Sequence, residues 1–264
     1  MRWVVGDIHG MSGPLDVLVR TIQNRDAEAS FYFTGDYCDR GPDTRGVVDR
    51  LIDLAEAGKA TCTRGNHDDI FDLILSGESF ASGPNLGGPV DEGICDEAAR
   101  MFWSEGLPET LESYGFTGDG DGRWLDSVRD AIPQRHREFF RSLPGMVDAG
   151  DFFVAHAAWP PDYPDDGDQL ARDPHLRYES IWGRYGSRQI TTPKLWKRPC
   201  YSGHTPTDNY LHAPELIRQP GSVIFGEALT LLDTGAFMPR GRLSAVCHET
   251  RDVVQVHHSG ELLS

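Results

Sequence analysis

The first seventy residues carry one pattern three times, and that pattern constrains the fold more than any other feature of the sequence. Short apolar runs at 2–5, 30–33 and 60–63 each meet a polar glycine turn: Gly6-Asp7, Gly35-Asp36 and Gly65-Asn66. After the first turn Leu15, Leu18, Val19 and Ile22 recur at helical spacing, and after the second so do Val47, Val48, Leu51, Ile52 and Leu54. Strand, turn, amphipathic helix and strand again make a βα crossover, so a parallel sheet is expected. Asp7, Asp36 and Asn66 stand 29 and 30 residues apart. One crossover unit separates each pair, which puts all three at the C-terminal edge of neighbouring strands, where open α/β sheets bind ligands.

The rhythm stops at Gly77. From 77 to 122 glycine and proline are dense, with helical pieces near 96–103 and 108–114, and the segment reads as a cap inserted into the domain. A second rhythm begins with a helix over 133–142 and strand-like text at 146–147 and 152–155. After a loop-rich stretch, short strands are expected at 210–211, 222–225, 229–232, 243–246 and 252–256, and their tight glycine turns read as antiparallel. With no repeat of domain size and no long linker, residues 1–264 are expected to form a single domain.

Charge limits the partners. Against 41 acidic residues stand 25 basic ones, for a net charge of −16, and only Lys59, Lys194 and Lys197 are lysines. Neither a nucleic-acid backbone nor an anionic membrane suits such a surface, since both need clustered cations. The longest apolar stretches, around 3–5 and 223–232, are too short to span a bilayer, and the N-terminus lacks a basic-then-apolar signal, so a cytoplasmic location is expected. Cys38, Cys62, Cys95, Cys200 and Cys247 form no C-x-x-C pair and read as reduced, buried thiols. Cys38 alone, between Asp36 and Asp39, admits a redox reading.

The turns carry more than structure. Gly6-Asp7-Ile8-His9-Gly10 sets a carboxylate and an imidazole two residues apart at a strand end, a pairing that suits two ligands on one metal. Gly35-Asp36-Tyr37-Cys38-Asp39-Arg40-Gly41 brings a second carboxylate with an acid and an arginine beyond it. Gly65-Asn66-His67-Asp68 brings an amide and another imidazole, and His156 and Gly203-His204-Thr205 follow later.

In this order and spacing the motifs resemble those of the PPP phosphoprotein phosphatases, bacterial serine/threonine type, within the calcineurin-like metallophosphoesterase superfamily. The resemblance covers most of the chain outside the cap and the loop over 159–177. It implies an α/β fold, a two-sheet β-sandwich flanked by helices. It also implies that Asp7, His9 and Asp36 hold one metal and that Asp36, Asn66, His156 and His204 hold the second, with Asp36 bridging. The cofactors would be two divalent or trivalent ions, manganese first, with iron or zinc admitted by an all-oxygen-and-nitrogen donor set. Hydrolysis would proceed by direct attack of a hydroxide held between them. His67 would protonate the leaving oxygen with Asp39 orienting its ring, and Arg40 and Arg184 would hold the phosphoryl oxygens. Arg177 and Arg188 are near enough in sequence to compete for the role of Arg184.

Three departures stand out. Asp68 occupies a usual glutamate position, where a shorter arm would alter support around His67. Ala157-Ala158 replaces Ala-Gly, and Pro239-Arg240-Gly241 replaces a glycine pair. Asp233 reads as a turn residue or as a partner behind the ligands. Asp119-Gly120-Asp121-Gly122 reads as a turn, Asp162, Asp165, Asp166 and Asp168 as a solvated acidic face, and His257-His258 as surface. The sequence thus favours a phosphatase acting on phosphoserine and phosphothreonine, with phosphotyrosine admitted. The alternative is a symmetrical diadenosine tetraphosphate hydrolase that would use Trp103, Trp159 or Trp182 as an adenine platform. A third reading, a non-catalytic phosphate-binding module, leaves His67, Asp39 and Arg40 without a task.

Overall fold

The three early repeats fold as their periodicity predicts. In a computed structural model, which describes residues 1–81, 92–116, 124–192, 196–217 and 219–263, they form β1 (Arg2–Val5), α1 (Ser12–Arg25), β2 (Ser30–Phe33), α2 (Thr44–Glu56), β3 (Ala60–Cys62) and α3 (Asn66–Ser76). β1 pairs parallel with β2 and β2 with β3. The apolar faces of α1 and α2 are buried as the spacing requires, and Asp43 caps α2 by accepting from the Gly46 N–H at 2.9 Å.

The chain continues through α4 (Glu92–Trp103), α5 (Leu107–Ser113), α6 (Trp124–Ala131), α7 (Gln134–Ser142), β4 (Met146–Asp148), β5 (Phe153–Ala155), α8 (Pro174–Trp182), α9 (Ser187–Thr191) and β6 (Cys200–Ser202). It closes with β7 (Ile224–Phe225), β8 (Leu229–Leu231), β9 (Arg242–Cys247), β10 (Val253–His257) and β11 (Leu262–Leu263). Two mixed sheets result, one in the order β11-β10-β9-β1-β2-β3 and one in the order β4-β5-β6-β8-β7.

Period-two alternation explains how they stack. Val4 and Val246 face Val154, Tyr201 and Leu232 in a layer between the sheets, while Trp3, Val5, Phe31 and Phe33 face the helices. Both faces of β1 are buried, and β9 lies antiparallel along its free edge. The α4 and α5 side chains Ala99, Phe102, Leu107 and Leu111 lie in the same buried cluster as α1 and α2. Among the described residues no helix is long and apolar enough to cross a membrane.

Three expectations are corrected. The later strands are not uniformly antiparallel: β4–β5, β7–β8, β9–β10 and β10–β11 are, but β6, which the sequence did not announce, runs parallel to both β5 and β8. Residues 210–211 form no strand: Pro206 starts a 3-10 turn at Thr207–Tyr210, whose Tyr210 hydroxyl donates to the Tyr185 carbonyl at 2.7 Å. The loop-rich stretch contains α8, announced by Asp173-Pro174, where the Asp173 carboxylate accepts from His175 N–H at 2.9 Å and Leu176 N–H at 3.2 Å. The 119–122 turn and the stretch over 82–91 lie outside the described residues.

Candidate metal centre and active site

Five strand ends from two sheets meet at one edge of the sandwich. β1 delivers Asp7 and His9, β2 delivers Asp36, Asp39 and Arg40, β3 leads into Asn66 and His67 at the start of α3, β5 ends at His156, and β6 leads to His204. Among the described residues, six that are not glycine have positive φ, and five of them are here: His9 at 46°, Asp36 at 53°, Asp39 at 68°, Arg40 at 71° and His204 at 65°. Left-handed backbone costs such residues about 1–3 kcal/mol each and persists only where the surroundings over-determine it.

The Asp68 carboxylate supplies much of that determination, accepting from the N–H groups of Asp36, Tyr37 and Gly65 at 2.8, 2.9 and 2.9 Å. This corrects its expected role, because Asp68 pins the loop of Asp36 to the start of α3 and leaves the His67 ring to other partners. Burial, with Asp36 nearby, pushes its carboxyl up to about 6.

The ligand atoms are set by what their other ends do. His9 Nδ1 donates to the Cys38 carbonyl at 2.9 Å, so its Nε2 lone pair faces Asp36 Oδ2 at 3.5 Å. His156 Nδ1 donates to the Thr34 carbonyl at 2.9 Å, and its Nε2 faces Asn66 Oδ1 at 3.0 Å and Asp36 Oδ1 at 3.4 Å. His204 Nδ1 lies 2.8 Å from the same amide oxygen. Lone pairs converging in a buried pocket repel one another unless a cation lies between them. Two groups compact enough for a metal occur among the described residues, His9 with Asp36 and His67, and Asp36 with His156 and His204; both contain Asp36. The donor set therefore fits two ions of borderline to hard character.

Asp7 is buried beside these groups but outside both, accepting from Thr34 Oγ1 and from the His204 N–H, each at 2.7 Å. Gly203 makes that approach feasible, since a Cβ there would come within 1.8 Å of Asp7 Oδ1.

On the open side, His67 Nδ1 donates to Asp39 Oδ2 at 2.7 Å, and the Arg40 guanidinium lies 3.1 Å from His67 Nε2 and 3.2 Å from His9 Nε2. Burial disfavours charge on His67, yet Asp36 and Asp39 outweigh it and hold the imidazole pKa above its ordinary value. Arg184, 3.0 Å from Thr205 Oγ1, lines a cleft of about 280 Å³ with Arg40, Asp36, Asn66, His67 and His204. Arg177 is instead buried and donates to the Leu170 carbonyl, and Arg188 is absent from the cleft.

Other expectations sort equally plainly. Cys38 is fully buried, and burial with Asp39 beside it holds the thiol pKa well above its ordinary value, which removes the thiolate a redox role needs. Asp233 accepts from the Gly235 N–H at 3.0 Å as a turn residue, and burial pushes its carboxyl up to about 6. Trp159 is fully buried and cannot be a platform, whereas Trp182 lines the cleft and Trp103 a groove of about 680 Å³ beyond Arg40 and Arg184. The acidic stretch is only partly solvated, because Asp165 pairs with Arg198 at 2.6 Å and Asp166 caps a 3-10 turn.

Sequence reasoning missed Phe102, Glu105 and Thr110. Phe102 lies edge-on to His67 at 5.0 Å, Glu105 pairs with Arg40 at 3.2 Å, and the Thr110 hydroxyl contacts Asp39. All three come from the segment read as a cap, and no motif spacing marks them.

A family model described as calcineurin-like phosphoesterase matches residues 2–248. The symmetrical bis(5'-nucleosyl)-tetraphosphatase of Ralstonia nicotianae is 41% identical over 113 residues, covering 42% of this chain and 38% of that protein. The protein of the same name from Legionella pneumophila is 30% identical over 125 residues, covering 47% and 36%. The chain thus matches less than half the length of these curated relatives. A crystal structure provisionally named a diadenosine tetraphosphatase superposes at a TM-score of 0.53 with 19% identity, covering 97% of this chain and 92% of that one. A serine/threonine phosphatase from Saccharomyces cerevisiae superposes at 0.52 with 14% identity, covering 97% and 79%. At these identities the two structures speak for the fold alone.

Proposed function

The chain belongs to the calcineurin-like phosphoesterase family, and from that premise we propose that it is a metal-dependent hydrolase of symmetrical dinucleoside tetraphosphates, cutting the central P–O–P linkage. The observation that carries the reading is the composition of the cleft wall. Trp182 shares the cleft with Arg40, His67 and Arg184, and Tyr178 stacks on it at 6.3 Å and 16° while remaining 52% exposed. A half-buried tryptophan with an exposed tyrosine stacked on it, beside phosphate-binding arginines, suits a nucleobase. Past Arg184 the groove widens toward Trp103 and Phe237, leaving room for a second half of the substrate. The curated relatives support the same substrate. Phosphoprotein hydrolysis, the first choice from sequence alone, has support only from a distant likeness in fold.

Cations held by Asp7, His9 and Asp36 and by Asp36, Asn66, His156 and His204 would polarise the phosphoryl oxygens and lower the pKa of the attacking water. The chain's own residues do the rest. Arg40 and Arg184 grip the phosphoryl oxygens as charge builds on them. Water adds its oxygen to one inner phosphorus, the central bridging oxygen leaves with the other half, and His67 Nε2 delivers a proton to it. Asp39 fixes the His67 ring through Nδ1, and Phe102 closes the ring's edge against bulk water. Two nucleoside diphosphates result.

Manganese-loaded protein incubated with diadenosine tetraphosphate is expected to release ADP alone. Trp182→Ala is expected to raise KM about tenfold, from the loss of one stacked base, while leaving turnover of p-nitrophenyl phosphate unchanged. Release of ATP with AMP, or turnover of a phosphoserine or phosphotyrosine peptide with none of the dinucleotide, would overturn the assignment.

A further inference from the structure

The segment read from sequence as a cap reaches into the site at one atom. Thr110, on α5, is fully buried, and its hydroxyl makes three contacts. It accepts from the Asp39 backbone N–H at 2.7 Å, lies 2.8 Å from Asp39 Oδ1, and lies 3.0 Å from Thr44 Oγ1. A hydroxyl has one proton and two lone pairs. A carboxylate oxygen can only accept, so the Thr110 proton goes to Asp39 Oδ1 and the Thr44 hydroxyl must donate to Thr110. Every valence of the hydroxyl is then used, and two of its three partners are atoms of Asp39.

We propose that Thr110 is a positioning residue for hydrolysis and that α5 serves the active site by holding the Asp39–His67 pair. Asp39 needs such a holder. Its φ of 68° is left-handed, and its side chain must present Oδ2 to His67 Nδ1 while Oδ1 is kept from rotating into that place. Thr110 fixes the backbone through the N–H and the carboxylate through Oδ1 together. The same turn reinforces the grip, because the Gly106 carbonyl accepts from the Arg40 N–H at 3.2 Å and a Cβ on Gly106 would lie 2.0 Å from that nitrogen. The inference rests on phosphoester hydrolysis with His67 as proton donor. It does not depend on the identity of the nucleotide.

Thr110→Val keeps the shape of the side chain and removes the hydroxyl; Thr110→Ser keeps the hydroxyl. With manganese-loaded protein, Thr110→Val is expected to lower kcat on phenyl phosphate, a poor leaving group, by about 10- to 100-fold, the usual cost of losing a partner that orients a site residue. KM should hold, the loss on p-nitrophenyl phosphate should be only a few-fold, and Thr110→Ser should stay within about twofold of wild type on both. In an Asp39→Ala background Thr110→Val should cost much less than it does in wild type, because only its bond to the residue-39 N–H remains. Equal losses on the two substrates, an undiminished loss in that background, or failure of the serine variant would overturn the proposal.

Proton NMR reads the same contact without turnover. The hydrogen-bonded His67 Nδ1 proton, identified by its absence from His67→Asn, is expected to shift or be lost to exchange in Thr110→Val and to persist in Thr110→Ser. An unchanged resonance in Thr110→Val would overturn the proposal; Thr110→Ala serves if the valine variant does not fold. If aryl phosphates are cleaved and the dinucleotide is not, the substrate assignment fails while the role of Thr110 stands.

Discussion

His67→Ala is expected to slow hydrolysis of phenyl phosphate by about 100- to 10,000-fold, the range for loss of a general acid, with two ions per chain retained. The expectation follows from how the ring is held. Nδ1 is committed to Asp39 at 2.7 Å, so Nε2 alone can carry a proton to a leaving oxygen, and it faces the cleft beside Arg40. The loss should shrink on p-nitrophenyl phosphate, whose leaving group departs without help. A competing reading has its own geometric basis, since His67 is compact with His9 and Asp36 and could serve as a ligand. Elemental analysis separates them: retained metal with lost turnover supports the proton donor, whereas loss of an ion would make His67 a ligand. Near-normal turnover of phenyl phosphate would exclude both roles.

Arg64→Met is expected to destabilise the fold by about 3–5 kcal/mol, the cost of removing one partner from a buried charge network. Arg64 is buried between β3 and the active-site turn, and Nη1 meets Asp69 at 3.2 Å and Asp72 at 3.0 Å. Its other donors reach the carbonyls of Phe140, Arg141 and Leu143 at 2.7, 2.9 and 3.1 Å, tying α3 to the end of α7. Methionine would fill much of the space but leave two buried carboxylates without this cation and remove a donor from each of three carbonyls. Burial already raises the pKa of Asp72, and without Arg64 it would rise further. Urea unfolding monitored by circular dichroism is the check. A loss below about 1 kcal/mol would show that solvent reaches the network. Because Arg64 is two residues from Asn66, the variant should also weaken metal retention.

The site was legible where its residues sit on a local repeat. Asp7, Asp36 and Asn66 share one unit of spacing because each follows one of three neighbouring parallel strands, and that period is written in the apolar residues of the strands and helices between them. His156 ends an apolar run for the same reason. Legibility fails where contact is made across long separations without a period. β6 has only three residues and is defined by parallel partners far away in sequence, so nothing local announced the strand that delivers His204. Arg177 and Arg184 look alike in the sequence, and only α8 decides that one is buried and the other reaches the cleft. Thr110 meets Asp39 across 71 residues, a hydrogen bond that leaves no periodic trace. The helices near 96–103 and 108–114 were readable; their contacts with Asp39 and His67 were not.

The central claim is that Asp36, common to both compact groups, joins two ions into one hydrolytic centre. The most direct test is elemental analysis and turnover on the same samples of wild type and Asp36→Asn, each chelated and then reloaded with manganese. The account predicts two ions per chain and restored turnover for wild type, no turnover for the chelated protein, and joint loss of metal and turnover in Asp36→Asn. Full activity after chelation, or an Asp36→Asn protein that keeps both ions and works normally, would contradict it.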